Sequence, residues 1–147
     1  QILFEIGSIK IISRLIDGKF PDYEGIIPKD FKITTYVNKN DFKDSIKSSS
    51  IFASKLLDVS LDFKEESLEI SSSNQDIGEY KNKIPAKTQA NGQDVKISFN
   101  YRYLLDGINS LSDDNIFIGC NGESTSSLFH NKSDKRFLYV LMPIRLS

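Results

Sequence analysis

The sequence is poor in the residues that build disulfides, metal centres and membrane spans. Its 147 residues include one cysteine, Cys120, so no disulfide can form within the chain and no cysteine pair has zinc-ligand spacing. The longest apolar run, 137–144, is far shorter than the roughly 20 residues that cross a bilayer, and no signal peptide is visible. We therefore expect a cytoplasmic protein without metal or other cofactor.

An excess of one charge sign is also missing. The chain has 19 Lys and Arg against 20 Asp and Glu, a net charge of −1. A protein that grips nucleic acid tightly usually carries a strong basic excess, so that class is excluded. The length suits one domain with its own core, and a start at Gln1 leads us to expect a piece of a longer protein.

Motifs for catalysis are scarce. The single histidine, His130, lies in a predicted strand with no second ligand nearby in sequence, so we predict a structural role. GESTS, residues 122–126, approaches the nucleophile motif G-x-S-x-G but lacks its last glycine and lies between two predicted strands, which indicates a polar loop. We predict that the chain is not an enzyme; a small hydrolase built on Ser124 and His130 is the least favoured alternative.

One acidic cluster surrounds a predicted strand-to-strand turn. It comprises Asp62, Glu65, Glu66 and Glu69. Such a cluster can form a carboxylate pair or a calcium site, but charge around a turn is ordinarily solvated. We predict solvated loop charge for all four.

The hydrophobic pattern predicts short strands and two helices. Residues 2–16 alternate around Gly7-Ser8, as in a hairpin with a type II′ turn. A helix is predicted over 38–54, capped by Asn38 or Asn40, and a second over 101–111, capped by Asn100. Further strands are predicted at 30–37, 57–63, 67–73, 80–89, 94–100, 115–120, 126–130 and 137–146, with a turn at Asn91-Gly92.

These elements form two similar halves. Each opens on a strand that leads into a helix, one beginning at Asp30 and the other at Asp94. We predict an α+β fold made of a duplicated β-α-β-β-β unit, with the two helices side by side on one antiparallel sheet.

Two further features allow a functional interpretation. Lys39, Lys43 and Lys47 follow helical spacing and form a stripe, although spacing alone favours a solvated flank. The C-terminal stretch is apolar up to Pro143, which interrupts strand pairing. Its apolar side chains either pack on a neighbouring segment or form a binding surface.

Three stretches resemble signatures of the bacterial sliding clamp family, the beta subunit of DNA polymerase III. They are RLIDGKFPDYEGIIP at 14–28, FNYRYLLDGINSL at 99–111 and YVLMPIRL at 139–146. They occur in the family's order and near its spacing. The resemblance implies the DNA-clamp fold, with 1–20 as the closing hairpin of the middle domain, 21–28 as an inter-domain connector and 29–147 as the third domain.

The resemblance also implies a processivity factor. Two subunits would join head to tail into a homodimeric ring around duplex DNA, which is held topologically with weak direct contacts. Near-neutral charge fits this role, because strong phosphate contacts would slow sliding. The family's helices line the hole, so Lys39, Lys43, Lys47 and Arg102 become the expected DNA-facing residues.

Family members dock short peptides of partners, including the polymerase III alpha subunit, the clamp loader and repair proteins, in a groove beside the third domain. The alternative is a free-standing peptide-binding adaptor that uses the same groove without a ring. Gly25 departs from the arginine common in the family, and Ser147 extends past its usual terminal leucine. The matching groove residues here are Pro21, Gly25, Ile26, Asn100, Tyr103, Ser127, Val140, Met142, Pro143, Ile144, Arg145 and Leu146.

The resemblance finally implies a ring interface. Ile51 and Phe52, at the end of the first helix, match its apolar contact, and residues 80–86 match its edge strand. Lys81 and Lys83 stand where relatives are commonly acidic, so we expect an altered charge pattern there.

Overall fold

The computed structural model describes residues 1–90 and 95–145. It begins with a separate hairpin, in which β1 (Ile2–Ile6) pairs with β2 (Ile9–Ser13) around Gly7-Ser8. Gly7 has a φ of 60°, which the predicted turn requires and which glycine adopts without steric cost. The hairpin forms its own two-stranded sheet, and every residue in its strands is exposed.

The remaining elements form two β-α-β-β-β units, as predicted. The first contains one helix and four strands: β3 (Ile33–Asn38), α1 (Lys39–Ser50), β4 (Asp58–Phe63), β5 (Ser67–Asn74) and β6 (Gly78–Ala90). The second repeats that order: β7 (Val95–Asn100), α2 (Tyr101–Ser110), β8 (Asn115–Cys120), β9 (Ser127–Asn131) and β10 (Leu138–Leu141).

Strand β6 connects the two parts of an eight-stranded antiparallel sheet, ordered β10-β9-β8-β3-β6-β5-β4-β7. Its first part, through Pro85, pairs with β5, and its last part, from Ala86 onward, pairs with β3. Pro85 stands where the partner changes, a position that tolerates the missing N–H of proline. Beyond it, the N–H groups of Ala86 and Thr88 donate to the carbonyls of Glu66 and Glu65 in the β4–β5 turn.

Both helices cover the same face of the sheet and contact each other. Phe42 and Ile46 of α1 and Leu104 and Ile108 of α2 are almost fully buried. The sheet contributes alternate strand residues to the same core, among them Phe63, Leu68, Ile70, Ile97, Phe99, Ile116, Ile118 and Phe129. The predicted α+β architecture is therefore confirmed.

The repeat is real, but its register differs from the prediction. The helices start after equivalent cap residues, Asn38 and Asn100, whose side chains accept backbone N–H bonds from the first turn. Matching these caps pairs Ile33 with Val95, whereas matching Asp30 with Asp94 would pair Ile33 with Ile97. The two alignments differ by two residues. Because this number is even, both place the same set of strand residues on the buried face. Asp94 and the predicted Asn91-Gly92 turn lie outside the described residues.

The first helix ends earlier than predicted. It stops at Ser50, before Ala53 and Ser54. The hydroxyls of Ser49 and Ser50 donate to carbonyls one turn back, a bond that competes with helix continuation. Ser54 then forms a turn, in which its backbone N–H and its hydroxyl both donate to Asp58.

The prediction of solvated charge was wrong for Glu69. This residue lies within β5 and is buried, and its carboxylate oxygens lie 2.7 Å from Lys81 Nζ and 3.8 Å from Lys83 Nζ on β6. The hydrogen bond and charge of Glu69 raise the pKa of Lys81. The prediction also fails for Asp62, which is half-buried within β4 with Lys64 Nζ at 3.2 Å. Glu65 and Glu66 are exposed in the turn, as predicted.

The last predicted strand is also shorter than expected. β10 ends at Leu141, two residues before Pro143, and the chain then leaves the sheet edge. It returns to pairing only at Ile144, which bridges Ser98 of β7. The C-terminal segment thus joins the two outermost strands of the sheet.

We predict that Asn38→Ala lowers the free energy of unfolding by about 1 kcal/mol, because Asn38 Oδ1 accepts from the N–H groups of Asn40 and Asp41. Asn40→Ala is the matched control and should change the free energy of unfolding little. Urea unfolding of both variants measures the difference. Equal losses would show that Asn38 is not the cap.

Candidate functional site

The connector is fixed to the end of the second unit. Residues 24–26 form a short 3₁₀ turn, and the carbonyl of Ile26 accepts a 2.8 Å hydrogen bond from Ser126 Oγ. Ser126 immediately precedes β9, whose first residue, Ser127, pairs with Leu141 at the end of β10. The connector, the start of β9 and the end of β10 therefore meet at one end of the sheet.

The C-terminal segment crosses this end. After β10, Met142 is exposed and Pro143 half-buried, and the Ile144 N–H donates to the Ser98 carbonyl at 2.7 Å. Ser98 lies in β7, two residues before Asn100, which caps α2 by accepting from the Arg102 N–H. Ile144 therefore lies beside β7, close in sequence to the cap of α2.

Tyr139 joins β10 to α2. Its hydroxyl donates to the Tyr103 carbonyl at 2.8 Å, and its ring lies where a Cβ on Gly107 would stand, 2.4 Å from the ring atoms. Burial first, and the charge of Asp106 next, raise the pKa of the Tyr139 phenol. The phenol therefore keeps its proton at neutral pH and remains a hydrogen-bond donor.

Hydrogen bonds thus hold the connector on Ser126 and the C-terminal segment on β7, and we call the predicted groove residues on these segments and at the start of α2 the terminal groove. It comprises Ile26, Asn100, Tyr103, Ser127, Val140, Met142, Pro143 and Ile144, with Pro21 and Gly25 on the connector and Arg145 at the exposed end. Leu146 lies outside the described residues. Ile26, Tyr103 and Met142 are 59%, 58% and 58% exposed, a large fraction for apolar side chains.

The polar groups of the groove are few. Ser127 is fully buried, and its hydroxyl has no hydrogen-bond partner within residues 1–90 and 95–145. Arg145 is exposed beyond Ile144. An apolar surface with a few polar groups that fix orientation is the usual composition of a site for an extended peptide.

Sequence reasoning missed three residues that position the groove. Ser126 holds the connector, Tyr139 holds Tyr103, and Gly107 makes room for the Tyr139 ring. The signal for the last was present, because a glycine inside a predicted helix costs about 1 kcal/mol relative to alanine and calls for a packing reason.

The predicted lysine stripe divides into two kinds of side chain. Lys39 Nζ donates to the Leu111 carbonyl at 2.6 Å and closes the end of α2. Lys43 is half-buried and Lys47 is exposed, with Asp44 Oδ1 at 3.8 Å from Lys47 Nζ. Arg102 is exposed at the start of α2. Lys39 thus has a structural bond, and Lys43, Lys47 and Arg102 supply the more available positive charge.

The residues proposed for a ring interface adjoin an open strand edge. From Gly78 to Pro85, β6 pairs with β5 on one side and with no other strand of the described chain. Phe52 stacks on Tyr80 of this edge at 6.3 Å, and Ile51 beside it is 65% exposed. Lys81 and Lys83 project from the opposite face toward Glu69.

Ser124 and His130, the residues considered for catalysis, lie in different environments. Ser124 is exposed in the β8–β9 loop, whereas His130 is buried in β9 and stacks on Phe117 at 4.3 Å. His130 Nδ1 lies 2.6 Å from the Asn131 carbonyl oxygen. Burial raises the pKa of the Cys120 thiol to about 12, so it is not an activated nucleophile.

Comparison with solved structures identifies the fold. The chain superposes with a TM-score of 0.91 on the sliding clamp of Pseudomonas aeruginosa, at 25% identity, covering 98% of this chain and 39% of that one. On a Bartonella birtlesii clamp bound to griselimycin, the chain superposes with a TM-score of 0.90 at 30% identity, covering 98% of this chain and 38% of that one. The DNA polymerase III beta subunit of Thermotoga maritima has the same fold, with a TM-score of 0.92 at 23% identity, covering 99% of this chain and 39% of that one.

Sequence comparison identifies the family. The family model for the DNA polymerase III beta subunit, C-terminal domain, matches residues 24–145. The beta sliding clamp of Staphylococcus epidermidis is 30% identical over 147 residues, covering 99% of this chain and 39% of that protein. The chain belongs to the family of the DNA polymerase III beta subunit, the bacterial sliding clamp. It spans 39% of the length of the curated relatives it matches. Neither described helix is long and apolar enough to cross a membrane.

We predict that Lys39→Ala lowers the free energy of unfolding by about 1–2 kcal/mol, because it removes a charged donor from the Leu111 carbonyl. Lys47→Ala, its exposed counterpart on the same helix, should stay within about 0.5 kcal/mol of the parent. Urea unfolding measures both. If the Lys39 variant is as stable as the Lys47 variant, Lys39 does not have the structural role described.

We also predict that Gly107→Ala destabilises the chain by about 1–2 kcal/mol, because crowding against the Tyr139 ring outweighs the gain in helix propensity. Asn109→Ala, on the exposed face of α2, should be neutral or slightly stabilising. In a Tyr139→Ala background, Gly107→Ala should cease to destabilise. The same loss in both backgrounds would show that Tyr139 is not the cause.

Proposed function

We propose that this chain is the partner-docking end of a sliding clamp, a non-catalytic processivity factor. Residues 1–20 act as the closing hairpin of a middle domain, 21–28 as the connector, and 29–147 as the third domain. The observation that supports the proposal is a pair of hydrogen bonds, one from Ser126 that holds the connector and one from the Ile144 N–H that holds the C-terminal segment on β7.

The groove takes an extended peptide with glutamine and leucine or phenylalanine anchors. Tyr103 and Met142 offer exposed apolar surface, and the flexible thioether of Met142 adapts to different side chains. The partners proposed are the polymerase III alpha subunit, the clamp loader and other proteins with such peptides. That a related clamp from Bartonella birtlesii is bound to griselimycin supplies a chemical probe.

The helix face is proposed to line the ring and face duplex DNA. Lys43, Lys47 and Arg102 carry the positive charge, while Asp44 and Asp106 on the same helices offset part of it. Such a balanced surface gives few lasting phosphate contacts and a shallow dependence on salt, which suits a ring that slides.

The ring itself is proposed to close through the open edge of β6. An unpaired strand edge beside the exposed Ile51 offers backbone hydrogen bonds and an apolar contact to a second subunit. Lys81 and Lys83 are balanced by the carboxylates of Glu69 and Glu79, so this edge presents both charge signs to the partner.

Titration with griselimycin tests the groove. We expect saturable binding that shifts the NMR signals of Tyr103 and Met142, and Met142→Ala should weaken it about 10-fold through lost apolar contact. Ile51→Ala removes a side chain of similar exposure outside the groove and serves as the control. Equal weakening by both variants, or shifts confined to other residues, would place the binding elsewhere.

A further inference from the structure

A row of apolar and aromatic side chains crosses three strands on the outer face of the sheet, which is the face turned away from the helices. Strand register places Leu138 of β10 opposite His130 of β9, and His130 opposite Phe117 of β8. Residues directly opposite each other share a face of the sheet. Their sequence neighbours Ile116 and Phe129 belong to the core under the helices, so alternation puts this row on the outer face.

The inner part of the row is packed, whereas its end at the sheet edge is open. The His130 ring stacks on the Phe117 ring with centroids 4.3 Å apart, and these residues are buried, at 5% and 7% exposed. Leu138 is 39% exposed, and within the described parts of the chain β10 pairs with β9 alone. Leu138 therefore offers accessible apolar surface beside a packed and fixed floor.

The open end of the row adjoins the terminal groove. Val140, a groove residue, lies two positions after Leu138 on the same face of β10, opposite Leu128 of β9. Two residues of strand span about 7 Å, which is also the step between alternate side chains of an extended ligand. A peptide that places one apolar side chain over Val140 therefore brings the side chain two positions along to Leu138.

The side chains around this step carry no carboxylate or ammonium group. They are Leu138, Val140, Leu128 and His130. Before β10, the guanidinium of Arg136 is bound to Asp134, with Nη2 at 2.8 Å from Oδ2. After β9, the ammonium of Lys132 lies 5.7 Å from the centre of the Tyr36 ring on β3, three strands away from β10. The surface beside Leu138 thus favours an apolar side chain over a charged one.

We propose that the terminal groove continues onto this row, and that a partner peptide places an additional leucine or similar aliphatic side chain on Leu138. That side chain stands two positions beyond the one that contacts Val140. The inference rests on the proposed function of the groove and adds a determinant of which peptides the groove prefers. Removing apolar surface of Leu138 from water supplies the added affinity, so peptides with a polar residue at that position bind less tightly.

Peptides of stepped length test the extension. The core probe is acetylated and amidated Gln-Leu-Gly-Leu-Phe. Two extended probes add a leucine beyond a glycine spacer, one at the amino end and one at the carboxyl end, and their counterparts carry serine in place of that leucine. In NMR titrations we expect at least one leucine extension to bind about 3- to 10-fold tighter than its serine counterpart and to shift the amide signals of Leu138 and His130. Saturating griselimycin should displace the core and extended peptides alike.

Two variants locate the added contact. Leu138→Ser should abolish the gain from the leucine extension and leave the affinity for the core peptide unchanged. Ile77→Ser removes an apolar side chain of 58% exposure from the β5–β6 turn, far from β10 in the strand order, and should keep the gain. Thermal melts confirm that both variants are folded.

The outcomes separate this inference from the proposed function. If the core peptide binds but neither leucine extension binds tighter, the groove stands and its extension is wrong. The extension is also wrong if the gain survives Leu138→Ser, if Ile77→Ser removes it, or if griselimycin leaves the extended peptide bound. Failure of the core peptide, the extended peptides and griselimycin to bind would overturn the groove and its extension together.

Discussion

The fold depends on one strand that belongs to both parts of the sheet. β6 pairs with β5 as far as Pro85 and with β3 from Ala86 onward, so the two parts are one hydrogen-bonded surface. Because they share this strand, α1 and α2 lie on the same face and pack on a common core. The partner change at Pro85 leaves the earlier half of β6 with an open edge, the feature proposed for ring closure. Beyond Pro85, the N–H groups of Ala86 and Thr88 hold the β4–β5 turn beside β6.

The terminal groove depends on single hydrogen bonds and not on a shared strand. Two segments from opposite ends of the chain are fixed to the same region by single hydrogen bonds, Ser126 to Ile26 and Ile144 to Ser98. Tyr139 and Gly107 then set the distance between β10 and α2. A site made from a connector and a chain end stays exposed because neither segment is part of the core.

Much of this fold was predictable because its signals are local. Cap residues, alternation and turn glycines located both helices and every strand, and Gly7 fixed the hairpin. Errors arose from two causes: α1 ended early because the hydroxyls of its serine run bond to the helix backbone, and Glu69 became buried because Lys81 and Lys83 stand across from it. Family resemblance supplied the expected groove residues, which stay a prediction, but nothing in the linear sequence indicated that Lys39 would bond to Leu111 or that Ser126 would hold the connector. Such contacts join residues whose proximity only the folded chain creates.

Native-state hydrogen exchange tests the central claim, that β6 makes the two parts of the sheet one cooperative unit. We expect the slowly exchanging amides of β4 and β5 and those of β8 and β9 to open with the same free energy, equal to that of global unfolding. We also expect Lys87 and Gln89, in the part of β6 paired with β3, to belong to that slowest group. Two separate levels of protection, with β8 and β9 opening while β4 and β5 stay closed, would contradict it.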